Sequence, residues 1–395
     1  MVGRGPDAEA HEELRARLSR GSLERGDSPL LLARVLEGLD EDALWIGFAR
    51  RFAPYKRAAL LFQDGERLRR LLDSSERPVR IVFAGKAHPN DGLGKDLVKR
   101  VFAETRRPEL AGKVFFLEDY DVSLARALVQ GADVWLNTPI RWQEASGTSG
   151  MKACANAALN LSIGDGWWPE AFDHDNGWLF GGNDYKDQEL QNQFDANALY
   201  HVLEHEVVPL FFERDPSGLP SGWLERVQRS LATVPLRFNT HRMVRDYFEQ
   251  GYGPLSSARA ELTRNKRWRL KMVVQENQRV RKGFADLRIV SVHVGDLASL
   301  HVGDPVAVRA EVHLGSLKPD DVSVELVLGH SSGEVELNGR VAVPLAYVQS
   351  SGSENHVFEG VRTMDRSGSF SYGIRVRARA DREYGGSLRD LVLWA

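Results

Sequence analysis

The sequence predicts an α/β protein, a Rossmann-like open parallel sheet with helices on both faces, closed by C-terminal helices and followed by an all-β sandwich. Short apolar runs alternate with amphipathic stretches from residue 43 onward, as in repeated βα units. A loop rich in Gly, Ser and Thr joins one such run to a helix-forming segment, as at the strand-to-helix turns of doubly wound sheets. From Leu287 the pattern changes to β-branched residues alternating with polar ones, broken by Gly, Ser and Asp turns. The expected organisation is a charged helical lead-in over 1–42, an α/β domain over 43–285 and a sandwich over 286–395.

The lead-in carries a helical patch at His11–Leu18 and an apolar-periodic stretch at Leu30–Leu36, too little to form a domain alone. A buried strand is expected at Ala43–Ala49, a helix from about Tyr55 to Leu72, and a strand at Val79–Ala84. A helix near Gly94–Ala103, a strand at Lys113–Leu117, a helix at Val122–Gln130 and a strand at Val134–Asn137 follow. The segment Met151–Leu159 predicts a helix, and Leu159–Ile163 continues the sheet. Helices are expected at Ala198–Phe212, Trp223–Leu231, Arg242–Gln250 and Arg259–Arg281, punctuated by Pro209, Pro216, Pro220 and Pro235. Sandwich strands are expected at Arg288–Val294, Val306–Leu314, Val322–Leu328 and Phe370–Arg377, among about seven in all.

Ligands of open α/β sheets bind beyond the carboxyl ends of the strands, so the residues there carry the functional reading. The loop Glu144-Ala-Ser-Gly-Thr-Ser-Gly-Met-Lys152 can take positive φ at its glycines and turn several N–H groups toward one point, where the helix dipole favours an anion. Lys152, placed in the first turn of the expected helix, is a cation where the dipole disfavours one. It either clamps a phosphate, or forms a Schiff base with a cofactor whose phosphate rests on the loop, or is a solvated lysine after a flexible turn. Arg50-Arg-Phe-Ala-Pro-Tyr-Lys-Arg57 places four cations after the first strand, either as a solvated basic turn or as the partner of the loop in binding two phosphates.

The loop, with Asp165-Gly-Trp-Trp-Pro-Glu170 beyond it, resembles the pyridoxal-phosphate segment of α-glucan (glycogen, starch, maltodextrin) phosphorylases, closest to their shorter bacterial and archaeal branch. Companion motifs recur in order over residues 44–182. The resemblance implies one half of a two-domain glycosyltransferase B-type fold that phosphorolyses α-1,4-glucan ends to α-D-glucose 1-phosphate. Matched by motif, Arg51 takes the substrate-phosphate position and Lys56 the contact with the cofactor phosphate. Arg50 stands where animal enzymes have lysine, a planar fork in place of a point charge. Pyridoxal 5′-phosphate would join Lys152, with Thr148 and Ser149 cradling its phosphate and Tyr120 lining the pocket. Glu144, Ala145, Ser146 and Gly147 would hold the glucose. The catalytic set implied is Arg51, Lys56 and Glu144, and the partners are α-1,4-glucan and inorganic phosphate. Gly85-Lys-Ala-His-Pro89 resembles a further family turn, although Lys86 and His88 also suit a loop surface. The sandwich resembles the family least and receives no site.

Family chains are about twice this length, so the sequence resembles a C-terminal half, and a separately encoded N-terminal half is a possible partner. A nucleotide-sugar glycosyltransferase half and a non-enzymatic glycan-binding protein are the alternatives. The first has no need of Lys152, and the second would use the sandwich aromatics.

At 395 residues the chain has room for two or three cores, and 42% hydrophobic with 27% charged residues is ordinary for a globular protein. A net charge of −3 gives no reason to expect nucleic acid. One cysteine, Cys154, excludes an intrachain disulfide and a cysteine-rich metal site. No apolar run reaches membrane-spanning length and the start lacks a signal-peptide core, so a cytoplasmic location and no membrane partner are expected.

Overall fold

The computed structural model describes residues 8–295, 301–331, 337–365, 367, 370–379 and 388–395. The expected lead-in and sandwich also extend onto residues outside this set, 1–7 among them. The chain divides into two units, Met1–Met243 and Val244–Ala395.

The first unit is built on six strands: β1 (Leu44–Ala49), β2 (Val79–Ala84), β3 (Val114–Leu117), β4 (Val134–Asn137), β5 (Leu159–Ile163) and β6 (Gly177–Phe180). They pair in parallel in the order β3-β2-β1-β4-β5-β6. Every residue of β1, β3, β4 and β5 is buried, because helices cover both faces of the sheet. Alternate residues of one strand feed opposite cores: Leu44, Ile46 and Phe48 join one apolar cluster, while Trp45 and Ala49 join the other. The strand order reverses between β1 and β4, and the crevice at such a reversal is where doubly wound sheets bind ligands. Residues just after Ala49 and Asn137 therefore face each other across it.

The charged lead-in forms α1 (Ala8–Arg25) and α2 (Pro29–Glu37). Leu14 and Leu18 of α1 enter the core with Trp45, Phe115, Leu124 and Leu128, and the His11 ring meets Trp45 edge-on at 5.2 Å. These helices form a layer over the sheet.

Several expected helices are differently bounded. The one expected at Ala198–Phe212 starts as Gln188–Val202 and passes through a π turn at Leu203–Val207 into Val208–Phe212, and the one expected at Trp223–Leu231 is Ser221–Arg237, running through Pro235. In place of one helix over Tyr55–Leu72, the chain makes short 3-10 turns at Pro54–Lys56 and Leu60–Gln63, then α3 (Gly65–Leu72). Arg57 at φ 45° ends the first turn, and the Asp64 carboxylate starts α3 anew by accepting the Arg67 N–H. The helix expected at Met151–Leu159 is the segment Thr148–Ala155, shifted toward the loop, and Ala157 at φ 70° swings the chain into β5.

The second unit begins within the helix Thr240–Tyr247, which passes through a π turn at Phe248–Tyr252 into a long helix, Gly253–Phe284. The helix leaves helical backbone at Arg264–Arg267, within the uninterrupted helix expected at Arg259–Arg281. Neither Gly nor Pro marks that break, and of its residues only Asn265 is of a type that favours left-handed backbone. Two four-stranded antiparallel sheets follow. One is ordered Ala346–Ser350, Asn355–Thr363, Pro305–His313, Arg288–Val294, and the other Leu337–Pro344, Val322–Ser331, Phe370–Ala378, Val392–Trp394. Val308, Ala310 and Val312 of one sheet share a core with Val324, Leu326, Ile374 and Val376 of the other. Val280 of the long helix enters that core, and Arg279 binds Asp321 through two bonds of 2.9 and 2.6 Å.

At the amino ends of the central strands of the first unit, Asp133 ties three of them together. It accepts the Trp45 N–H on its carboxylate (2.8 Å), donates its own N–H to Trp45, and accepts the Leu159 N–H on its carbonyl. Burial pushes its carboxyl up to about 7, against the opposing pull of the Trp45 N–H. An unfolded aspartate ionises near 3.8, so between these values the folded protein holds more protons. Stability from this group is therefore present below pH 4 and is lost as pH rises to 7. Denaturant melts from pH 4 to 8 should show this decline, and Asp133→Asn should flatten it.

Candidate functional site

The site is assembled from the segments that leave β1, β3, β4 and β5. After β1, the Arg50 N–H still pairs with Ala84 of β2 (3.1 Å), so the Arg50 side chain starts from a fixed backbone. The Pro54–Lys56 turn then brings the chain back across β4, and the Thr138 hydroxyl donates to the Lys56 carbonyl (2.9 Å). Both cations arrive at one oxygen. Arg50 Nη2 and Lys56 Nζ, the latter at 2.9 Å, donate to Glu144 Oε2. Arg50 is 8% and Lys56 7% exposed, so these charges meet largely out of water.

Behind this contact lies a buried amide chain. Arg50 Nη1 donates to Asn137 Oδ1 (3.1 Å), and Asn137 Nδ2 donates to Asn160 Oδ1 (3.1 Å). A guanidinium has only donors, so Asn137 must present its oxygen to Arg50, which fixes the orientation of both amides. Arg50 Nε and Asn160 Nδ2 are left buried and without a hydrogen-bond partner among the described residues.

The charge balance is uneven, because two buried cations share one carboxylate. The neighbouring acid, Asp165, accepts the backbone N–H groups of Glu144 (2.9 Å) and Gly166 (2.8 Å). Arg51 is exposed and makes no ion pair among the described residues, and the same holds for Lys152. Tyr120, after β3, is half-buried; burial raises its hydroxyl pKa, and the nearby positive charge of Arg50 partly offsets that rise.

The loop between β4 and the helix Thr148–Ala155 completes the site. Gly147 at φ 82° begins the helix in left-handed backbone, and no side chain caps it. The first N–H groups, those of Thr148 and Ser149, thus keep their donor capacity. Because the helix begins at Thr148, Lys152 lies one turn in from its start. Gly166 holds the loop from below at φ 59°: the Trp167 N–H donates to the Ser146 carbonyl (2.9 Å), and a Cβ on Gly166 would lie 2.3 Å from that carbonyl oxygen.

The structure gathers Arg50, Lys56 and Glu144 directly, sets Tyr120 within electrostatic reach of Arg50, and places Ala145, Ser146, Gly147, Thr148 and Ser149 on the adjoining loop, with Arg51 and Lys152 exposed. Arg57, the fourth cation of the basic turn, has a different role. It is buried against Asp195 (2.8 Å) and the carbonyls of Thr138 and Pro139, which makes it a structural tie. Lys86 and His88 are exposed, and the His88 ring accepts the Asn90 N–H. The residues that sequence reasoning passed over are Asn137 and Asn160. A polar amide in the middle of the apolar strand Leu159-Asn-Leu-Ser-Ile163 was the signal available for Asn160, which is wholly buried.

Two cations converge on the switch-point crevice of a doubly wound sheet, beside an uncapped helix start. A carbohydrate phosphorylase family model matches residues 35–211, and a glycogen phosphorylase C-terminal domain model matches 285–389. Glycogen phosphorylase of Mycobacterium tuberculosis is 36% identical over 370 residues, covering 93% of this chain and 43% of its own. Glycogen phosphorylase of Aquifex aeolicus is 46% identical over 245 residues, covering 62% and 35%, respectively. Maltodextrin phosphorylase of Thermococcus litoralis is 35% identical over 404 residues, covering 100% and 47%. The chain belongs to the carbohydrate phosphorylase family. It spans less than half the length of these relatives. The second model extends the likeness into the sandwich, where the sequence motifs showed least of it.

Gly166→Ala should lower stability by about 2 kcal/mol or more, since it adds both left-handed strain and a backbone clash. Gly92→Ala, whose Cβ meets open space, should not. Urea melts of the two variants compare the cases directly.

Proposed function

We propose that this chain carries the phosphate-handling half of an α-glucan phosphorylase of glycosyltransferase B-type architecture. It would transfer glucosyl units between α-1,4-glucan ends and inorganic phosphate, with pyridoxal 5′-phosphate held at Lys152. The observation that carries the proposal is the pair of buried cations on Glu144, with Arg50 Nε unpartnered beside them. A buried cluster with surplus positive charge and an unspent donor favours a phosphoryl group.

The residues fit the cofactor. A Schiff base needs a reachable amine, and Lys152 is exposed and unpaired among the described residues. A phosphate needs converging donors, and the N–H groups of Thr148 and Ser149 start an uncapped helix after left-handed Gly147. When bound, the cofactor supplies a phosphate with a second ionisation near pH 6, able to exchange a proton with a neighbouring phosphate. This chain's residues do the remaining work. Arg50, Lys56 and exposed Arg51 supply the positive charge that lets two phosphates approach one another. Tyr120 would line the pocket beside Arg50. Glu144, fastened through Oε2, has no partner on Oε1 among the described residues, so that oxygen can accept a sugar hydroxyl. The backbone of Ala145, Ser146 and Gly147 would adjoin the same sugar, held in register by Gly166 and Asp165.

The relatives' names, together with Lys152, favour phosphorolysis over transfer from a nucleotide sugar. A cytoplasmic setting belongs to the same proposal. Among the described residues no helix is long and apolar enough to cross a membrane. Incubation with pyridoxal phosphate, borohydride reduction and peptide mapping should place a stable adduct on Lys152 and none in Lys152→Ala. Absence of an adduct at Lys152 in the folded wild-type chain would refute the cofactor assignment.

A further inference from the structure

Two residues before Glu144, Trp142 is 75% exposed, whereas the other tryptophans of the first unit are all buried. Its backbone is at φ 68°, in a turn closed by the Gln143 N–H donating to the Ile140 carbonyl (3.2 Å). Third positions of such turns belong to glycine or asparagine, because a larger side chain in left-handed backbone is strained. Strain of this kind persists where the surroundings over-determine it, and it collects at ligand contacts.

The indole is held in place. Its Nε1 donates to Asp184 Oδ2 (3.2 Å), and the Arg141 guanidinium lies over the ring at 4.9 Å. Arg141 in turn pairs with Asp184 Oδ1 (3.0 Å) and donates to the Gly182 carbonyl (2.8 Å). The turn itself is anchored to the basic segment by the Ile140 N–H, which donates to the Tyr55 carbonyl (2.7 Å). One face of the ring is therefore backed by the Arg141 guanidinium and the ring is left largely open, with the Asp184 carboxylate at its Nε1 edge. Successive Cα atoms are 3.8 Å apart, so Trp142 lies within about 7 Å of Glu144 along the chain.

We propose that Trp142 is a stacking platform for a glucosyl ring of the α-glucan, adjoining the sugar held at Glu144, with Asp184 and Arg141 meeting its hydroxyls. A pyranose has an apolar face of C–H groups and a polar edge, matching an open indole with a carboxylate at its edge and a guanidinium beside it. A protein surface would bury the aromatic just as well, but it would gain less from the two charged groups beside it, which sugar hydroxyls can satisfy. The platform rests on the α-glucan reading above and extends it from the reacting sugar to the next.

The test is calorimetric titration of the full chain with maltoheptaose. Trp142→Ala and Trp142→Gly should weaken binding about tenfold or more, the loss expected of one well-placed aromatic contact of about 1.4 kcal/mol. Trp142→Tyr, which keeps an aromatic face, should retain most of the affinity. The melting temperature of Trp142→Gly should not fall, whereas a tryptophan kept for packing would lower it. Wild-type affinity in Trp142→Ala, or no maltoheptaose binding by the wild type, would overturn the platform. Unchanged maltoheptaose binding with altered self-association would assign Trp142 to a protein interface instead. Borohydride trapping at Lys152 in the same proteins separates the claims. Trapping with no effect of Trp142 on sugar binding removes the platform alone. Failed trapping with a clear Trp142 effect removes the cofactor reading alone.

Discussion

A single carboxylate oxygen, Glu144 Oε2, receives both Arg50 and Lys56, and the candidate site depends on that contact. Each cation comes from the segment after β1, while the carboxylate comes from the loop after β4, so the ion cluster closes the crevice where the sheet changes direction. Breaking a buried cluster of this kind by removing one partner leaves an uncompensated charge, which is far more costly than losing a surface pair. Two cations on one carboxylate also leave positive charge in excess. That excess makes a phosphoryl group a natural third partner.

The surrounding architecture keeps this geometry in place from several sides. Asn137 and Asn160 fix the Arg50 guanidinium from behind, and Asp165 holds the Glu144 backbone. Gly166 and Trp167 pin Ser146, so that Gly147 can turn and release the helix with its first donors unspent. Arg57, next in sequence to Lys56, ties the basic segment to Asp195 and to the carbonyls after β4. Neighbouring cations thus divide the work, Lys56 toward the crevice and Arg57 toward the framework.

Much of this was legible from the chain. Fully apolar runs such as Leu44-Trp-Ile-Gly-Phe-Ala49 announced strands covered on both faces, and the order of motifs placed Arg50, Lys56, Tyr120 and Glu144 after strand ends. Helix boundaries were less legible where backbone conformation overrode periodicity. Arg57 and Ala157 take left-handed backbone without being glycine, and nothing in their side chains advertises it. The roles of Asn137 and Asn160 depend on strands adjacent only in space, and burial of Arg57 depends on Asp195, far along the chain. Trp142 was invisible for a related reason. A tryptophan in sequence reads as core, and only the fold reveals that its turn points it outward.

The central claim is that the Arg50, Lys56 and Glu144 cluster is a phosphate site, and the most direct measurement is phosphorus NMR of inorganic phosphate titrated into the folded chain. Saturable broadening or a shift in the wild type, lost in a folded Arg50→Gln/Lys56→Gln variant, is the predicted result. No binding by the wild type, or equal binding by the variant, would contradict it.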